Sequence, residues 1–228
     1  MKHVTKYLLI PITCVLFGSC AEDDRPASPP VFFDYKVWAE EGSPVTCTFQ
    51  YRRRNVEGRT VSLHPSASVQ FDGEELKAGH AGITGSYYEK VIPAEQFSGN
   101  HTVIFTDSAG RKFRERFTFR PFTLEEPLPS QLPLQPFSIR LKDISPGARV
   151  RLVMINTDAD VNDVNTFLKP VDGVIHVSEQ LVRQVGAGNI IVQITAEEER
   201  PLKSVTTAGG RLLTSYGIQR EIVLGEGP

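Results

Sequence analysis

The chain has 228 residues, of which 40% are apolar and 23% charged, enough apolar material for a sizeable core. Its 25 basic and 27 acidic side chains leave a formal charge of -2, so nothing in the balance points to nucleic acid or to an acidic surface as a general partner.

In chain order, the first element is a secretory signal. Lys2, His3 and Lys6 form a basic head, and Tyr7 to Phe17 is an apolar run interrupted by Pro11 and Thr13 before Gly18-Ser19-Cys20. The run is shorter than the roughly 20 residues that a spanning helix needs. Small residues leading into a cysteine resemble a bacterial lipobox. That resemblance implies a signal peptide over residues 1–19 and a mature chain that begins at Cys20, acylated and held to a membrane by lipid. A plain secretory signal cut near Ser19 is the alternative.

The flank Ala21-Glu22-Asp23-Asp24 resembles the export signal of surface lipoproteins of Bacteroidota. Glu22, Asp23 and Asp24 then imply an outer-membrane protein exposed at the cell surface. They also serve as a solvated tether over residues 20–30, since Arg-Pro-Ala-Ser-Pro-Pro at 25–30 stiffens the chain without folding it. With Cys14 removed and Cys20 acylated, Cys47 is the remaining thiol and an intramolecular disulfide is excluded.

Residues 31–120 read as a first unit. Val31 to Trp38 is rich in strand formers, and Val45, Cys47, Phe49 and Tyr51 alternate with polar residues, which puts Cys47 on the inner face of a strand. Arg52, Arg53 and Arg54 mark a solvated corner. Val61 to Leu63, Ser68 to Phe71 and Tyr87 to Ile92 continue short strands. Asn100 to Thr106 and Lys112 to Phe119 flank the turn Asp107 to Arg111 as a hairpin. Phe113, Phe117 and Phe119 share one face of its second strand, opposite a cationic stripe of Lys112, Arg114, Arg116 and Arg120. Glu115 falls on the apolar face and needs an edge or a partner.

Residues 121–136 carry prolines at 121, 127, 129, 133 and 136 and read as an interdomain linker whose leucines dock on a neighbouring unit. Residues 137–228 form the second unit, with strands expected at Phe137–Leu141, Arg149–Asn156, Gly173–Val177, Asn189–Thr195, Gly210–Tyr216 and Ile218–Leu224. One short helix is capped by Ser178 and stopped by Gly186. The class is all-β. Strand number and spacing resemble tandem immunoglobulin-like β-sandwich domains of bacterial surface proteins, and a transthyretin-like sandwich would show much the same pattern.

No nucleophile elbow, cysteine–base pair or phosphate loop is present, so no catalytic residue and no cofactor are assigned. His64, His80, His101 and His176 lack metal-ligand spacing. Asp158, Asp160 and Asp163 crowd oxygens into one loop, but Asp163 and Lys169 stand where a calcium loop needs glycine and glutamate, so no metal site is assigned. Asp107-Ser108-Ala109 resembles the O-glycosylation motif of Bacteroidota, with Ser108 the acceptor. Trp38, Tyr87, Tyr88 and Tyr216 are candidate ligand platforms. The expectation is a non-catalytic, lipid-anchored cell-envelope protein that acts as a binding, adhesion or assembly module toward a protein or glycan; the alternative is a carbohydrate-binding accessory lipoprotein of a polysaccharide uptake system.

Overall fold

Alternating apolar residues build the first sandwich. The computed structural model describes residues 29–82, 84–97, 99–158 and 163–225, so Cys20, Glu22, Asp23 and Asp24 lie outside the described residues. The first eight strands are β1 (Val31–Glu40), β2 (Val45–Arg53), β3 (Ser68–Phe71), β4 (Glu74–Glu75), β5 (Ala78–Ala81), β6 (Gly85–Ile92), β7 (Asn100–Thr106) and β8 (Lys112–Thr118). They pair as β1-β2-β6-β5 and as β4-β3-β7-β8. That is the ABED sheet facing a C′CFG sheet, the strand order of an immunoglobulin-like sandwich.

Between these sheets lies an aromatic core. Phe33, Tyr35, Phe49 and Tyr51 meet Phe71, Phe105 and Phe117 from the other side. Cys47 is fully buried among them, and burial pushes its thiol up to about 12, so it is inert at neutral pH. The hairpin turn holds as expected: the Asp107 carboxylate accepts from the backbone N–H of Ala109 and Arg111 at 3.0 and 2.9 Å, and Gly110 takes φ +82°.

The second sandwich follows the same plan. Its elements are β9 (Thr123–Leu124), β10 (Gln131–Pro133), β11 (Phe137–Lys142), β12 (Arg149–Asn156), β13 (Val164–Leu168), β14 (Val174–Val177), α1 (Glu179–Val185), β15 (Gly188–Pro201) and β16 (Gly210–Gly225). Strands β9-β11-β14 face β13-β12-β15-β16, and β10 runs parallel along the edge of β16. Helix α1 is capped by the Ser178 hydroxyl, which accepts from the Leu181 N–H, and it buries Val182 and Val185.

The segment 121–136 is built into this second sandwich. Phe122 is buried, Leu124, Leu128 and Leu132 pack on the second core, and Pro133 occupies an edge strand where its missing N–H costs nothing. The two strands expected at Gly210–Tyr216 and Ile218–Leu224 are one strand, because Gly217 continues the ladder opposite Thr195 and Glu40.

This long strand joins the two sandwiches. The first half of β16 pairs in parallel with β1, from Phe33 opposite Gly210 to Glu40 opposite Gly217, so one nine-stranded sheet runs through both units. At about 3.3 Å per residue, the 16 residues of β16 span about 50 Å. The tip of the β15–β16 hairpin therefore reaches the first core, where Leu202 and Leu212 are buried.

Two ionic contacts, Asp34 with Arg211 and Glu115 with Arg200, fasten that tip to the first sandwich. Asp34 on β1, with no exposed side-chain surface, accepts from Arg52 Nε at 2.8 Å and from Arg211 Nε at 2.9 Å, and Arg211 also reaches Glu199 at 2.8 Å. Glu115 finds the partner its position demands: its carboxylate accepts from Arg200 and from the backbone N–H of Lys203, at 2.8 and 2.9 Å. At the far edge of β1, Arg220 donates to Glu41.

Candidate functional site: the junction cleft

Where β16 leaves the second core and enters the first, its side chains open a cleft of about 870 Å³ between the sandwiches. Tyr216 stands at this point and packs on both cores, with its ring edge-on to Phe119 at 6.2 Å and to Phe122 at 5.5 Å. Arg120, Asp143 and Glu198 add charge to the same lining, and Ser145 and Ser215 add hydroxyls. Asp143 adopts a left-handed φ of +63°, a conformation that Asp tolerates better than most residues.

Beside the junction, one ion pair shifts the titration of its own carboxyl and of Tyr216. A hydrogen bond from Arg220 holds the Glu41 carboxyl below its ordinary range, while burial and then Glu41 push the Tyr216 phenol up. A carboxyl whose folded pKa is depressed stabilises the fold above its unfolded pKa and loses that contribution as pH falls through the folded value. Glu41→Gln is thus expected to flatten the acid limb of stability measured by denaturant unfolding from pH 7 to pH 3. Both partners are partly exposed, so the effect is small. An unchanged pH slope would show that the pair contributes nothing.

The four aromatic candidates separate. Tyr88 is 8% exposed and belongs to the first core, so it is no platform; the alternation of β6 turns it inward. Tyr87 lies on the outer face, with its ring laid over Gly79, where a Cβ would come within 2.7 Å of its Cζ. Trp38 is 46% exposed on the outer face of the nine-stranded sheet, across Thr46 from Val91, itself 52% exposed. Tyr216 alone of the four lines the junction cleft.

Ser108 is half-buried rather than fully open, on the wall of a second cleft beside Phe105 and Asp107. Asp158 spends its carboxylate on Asn189, whose backbone and side-chain N–H groups donate to it at 2.8 to 2.9 Å; Asp160 and Asn162 lie outside the described residues. The histidines stay apart: His64 contacts Ser66, His176 contacts Ser138, and His101 sits buried against Asp72.

Sequence reasoning missed Asp34, Arg211 and Arg200, which fix the cleft by fixing the hairpin. Asp34 was the available signal, a carboxylate inside the otherwise apolar start of β1.

No family model matches the chain, and no curated protein matches it. Among solved structures it is similar to the tandem Ig repeats of Dlar, at 9% identity over 83% of this chain and 100% of that one, with a TM-score of 0.28. It is similar to Dpr2 Ig1-Ig2 in complex with DIP-Theta Ig1-Ig3, at 11% identity over 87% and 99%, also with a TM-score of 0.28. A 1.5-MDa bacterial ice-binding adhesin shows 15% identity over 88% of this chain and 66% of that one, at a TM-score of 0.24. At such overlap these likenesses carry no argument about function.

Proposed function

We propose that the protein is a non-catalytic binding module of the cell envelope, held to the outer membrane by lipid on Cys20, facing the outside, and engaging a protein partner at the junction cleft. One observation carries the binding role. The shared β15–β16 hairpin makes the two sandwiches a single body, so the cleft around Tyr216 is held open by strand pairing and needs no ordering when a ligand arrives. The lipobox and the acidic flank support the address.

A photo-crosslinking amino acid placed at Tyr216 in intact cells is expected to give one discrete adduct, and the same group at exposed Glu221 none. Equal adducts from both positions would remove the cleft from the proposal. Failure of labelled palmitate to enter the protein would remove the anchor.

A carbohydrate ligand is the second reading, favoured by the half-exposed Tyr216 ring beside Arg120, Asp143 and Glu198. A glycan array probed with the purified protein separates the two.

A further inference from the structure

The end of the first sandwich from which the tether departs carries a different surface. A cleft of about 660 Å³ opens there, walled by Val31, Leu63 and Phe105 and rimmed by Arg53 and Arg54. Arg59 lies next to Arg53, whose backbone N–H donates to the Arg59 carbonyl at 3.0 Å. Lys112 begins β8 opposite Thr106, at the same end. All four basic side chains are exposed.

Their neighbours are spoken for: Arg52 is paired with Asp34 and Arg111 with Asp107. Arg53, Arg54, Arg59 and Lys112 belong to no ion pair among the described residues. The loop from 54 to 67 holds one carboxylate, Glu57. Four exposed cations outside any ion pair among the described residues thus stand together at this end of the first sandwich, around an apolar cleft, in a chain with a net charge of -2.

Chain length says what faces this end. Pro29, which lines the cleft, lies nine residue steps after Cys20, and nine steps reach at most about 30 Å. The loop of Asp158, at the other end of the hairpin, is about 50 Å away along β16. We propose that this end is a membrane-contact surface: Arg53, Arg54, Arg59 and Lys112 meet the phosphates of anionic lipid headgroups, and the apolar cleft between them faces the interface. The proposal rests on acylation of Cys20. It adds a second, electrostatic contact to that anchor.

The test uses the acylated full-length protein in vesicles, with a polarity-sensitive label on Ser66→Cys beside the cleft or on Glu221→Cys in the far sandwich. Cys47 does not react, since it is buried with its thiol pushed up to about 12, and the sulfur of Cys20 is blocked by lipid. A headgroup quencher is expected to quench the Ser66 label at least about threefold more in phosphatidylglycerol vesicles than in phosphatidylcholine. High salt or R53E/R54E should abolish the difference, and the Glu221 label should not respond.

Equal quenching in both lipids, or quenching untouched by R53E/R54E, overturns the contact. A label shielded already in detergent and released by E22Q/D23N/D24N would assign the basic rim to the acidic flank instead, and also overturns it. Protein that floats with neither vesicle fails at the anchor, a separate outcome that removes both readings.

Discussion

Asp34→Ala is expected to destabilise the protein by about 3 kcal/mol in urea or guanidinium unfolding, the lower end of what removing one partner from a buried ion pair costs. The carboxylate has no exposed side-chain surface, whereas Arg52 and Arg211 are about one-fifth exposed, so without it two guanidinium groups face each other half-desolvated. Both keep other partners: Arg52 still donates to Gln50 and Gly58, and Arg211 still donates to Glu199. That holds the cost below the top of the range. Because Asp34 links β1 of the first sandwich to β16 of the second, hydrogen exchange should quicken at the amides from Leu212 to Thr214 before it does at Ile190 to Ile194. A loss below about 1 kcal/mol would place this pair with surface ion pairs and deny it the role of a clamp.

Phe33→Ala should cost about 3–5 kcal/mol, the range for deleting a fully buried aromatic ring. Phe33 is wholly buried and touches four rings: Tyr35 stacked at 5.8 Å, and Tyr51, Phe105 and Phe113 edge-on at 5.3 to 5.5 Å. Two of these come from the opposite sheet, so the cavity lies at the centre of the sandwich and cannot close by moving one strand. The same residue sets the approach of the hairpin. A Cβ on Gly210 would lie 2.9 Å from Phe33 Cβ and 2.9 Å from Leu202 Cδ1. The loss should therefore show in the first sandwich and in the hairpin tip together, as one cooperative transition in thermal unfolding. Two separated transitions, with the second sandwich unmoved, would show that the units are not coupled through β16.

Local patterns carried most of the strands. Alternation over Val45–Tyr51 located β2 and the inward face of Cys47, Asp107 and Gly110 located the hairpin, and Ser178 with Gly186 bounded α1, because each is specified by neighbours in sequence. The weaker readings fell where partners are distant. β13 (Val164–Leu168) has only five residues and a polar Asn-Thr centre, so its pairing with β12 leaves little trace in its own pattern. Gly217 looked like a break and is a passing point, since β16 finds β1 on one side and β15 on the other. Of the four aromatic candidates, only contact with both cores separates Tyr216 from Tyr88.

By itself, the sequence determined an all-β chain with apolar strand faces, turn positions, a basic hairpin stripe and a charged residue, Glu115, that had to be neutralised. Tertiary structure alone decided which charge neutralises it and where the two sandwiches meet. Glu115 and Arg200 are 85 residues apart and Asp34 and Arg211 are 177 apart, so neither pair has a local signature. The physical reason is that strand pairing satisfies backbone groups without regard to sequence distance. A hairpin long enough to outrun its own sandwich joins whichever edge lies in its path, and here that edge is β1.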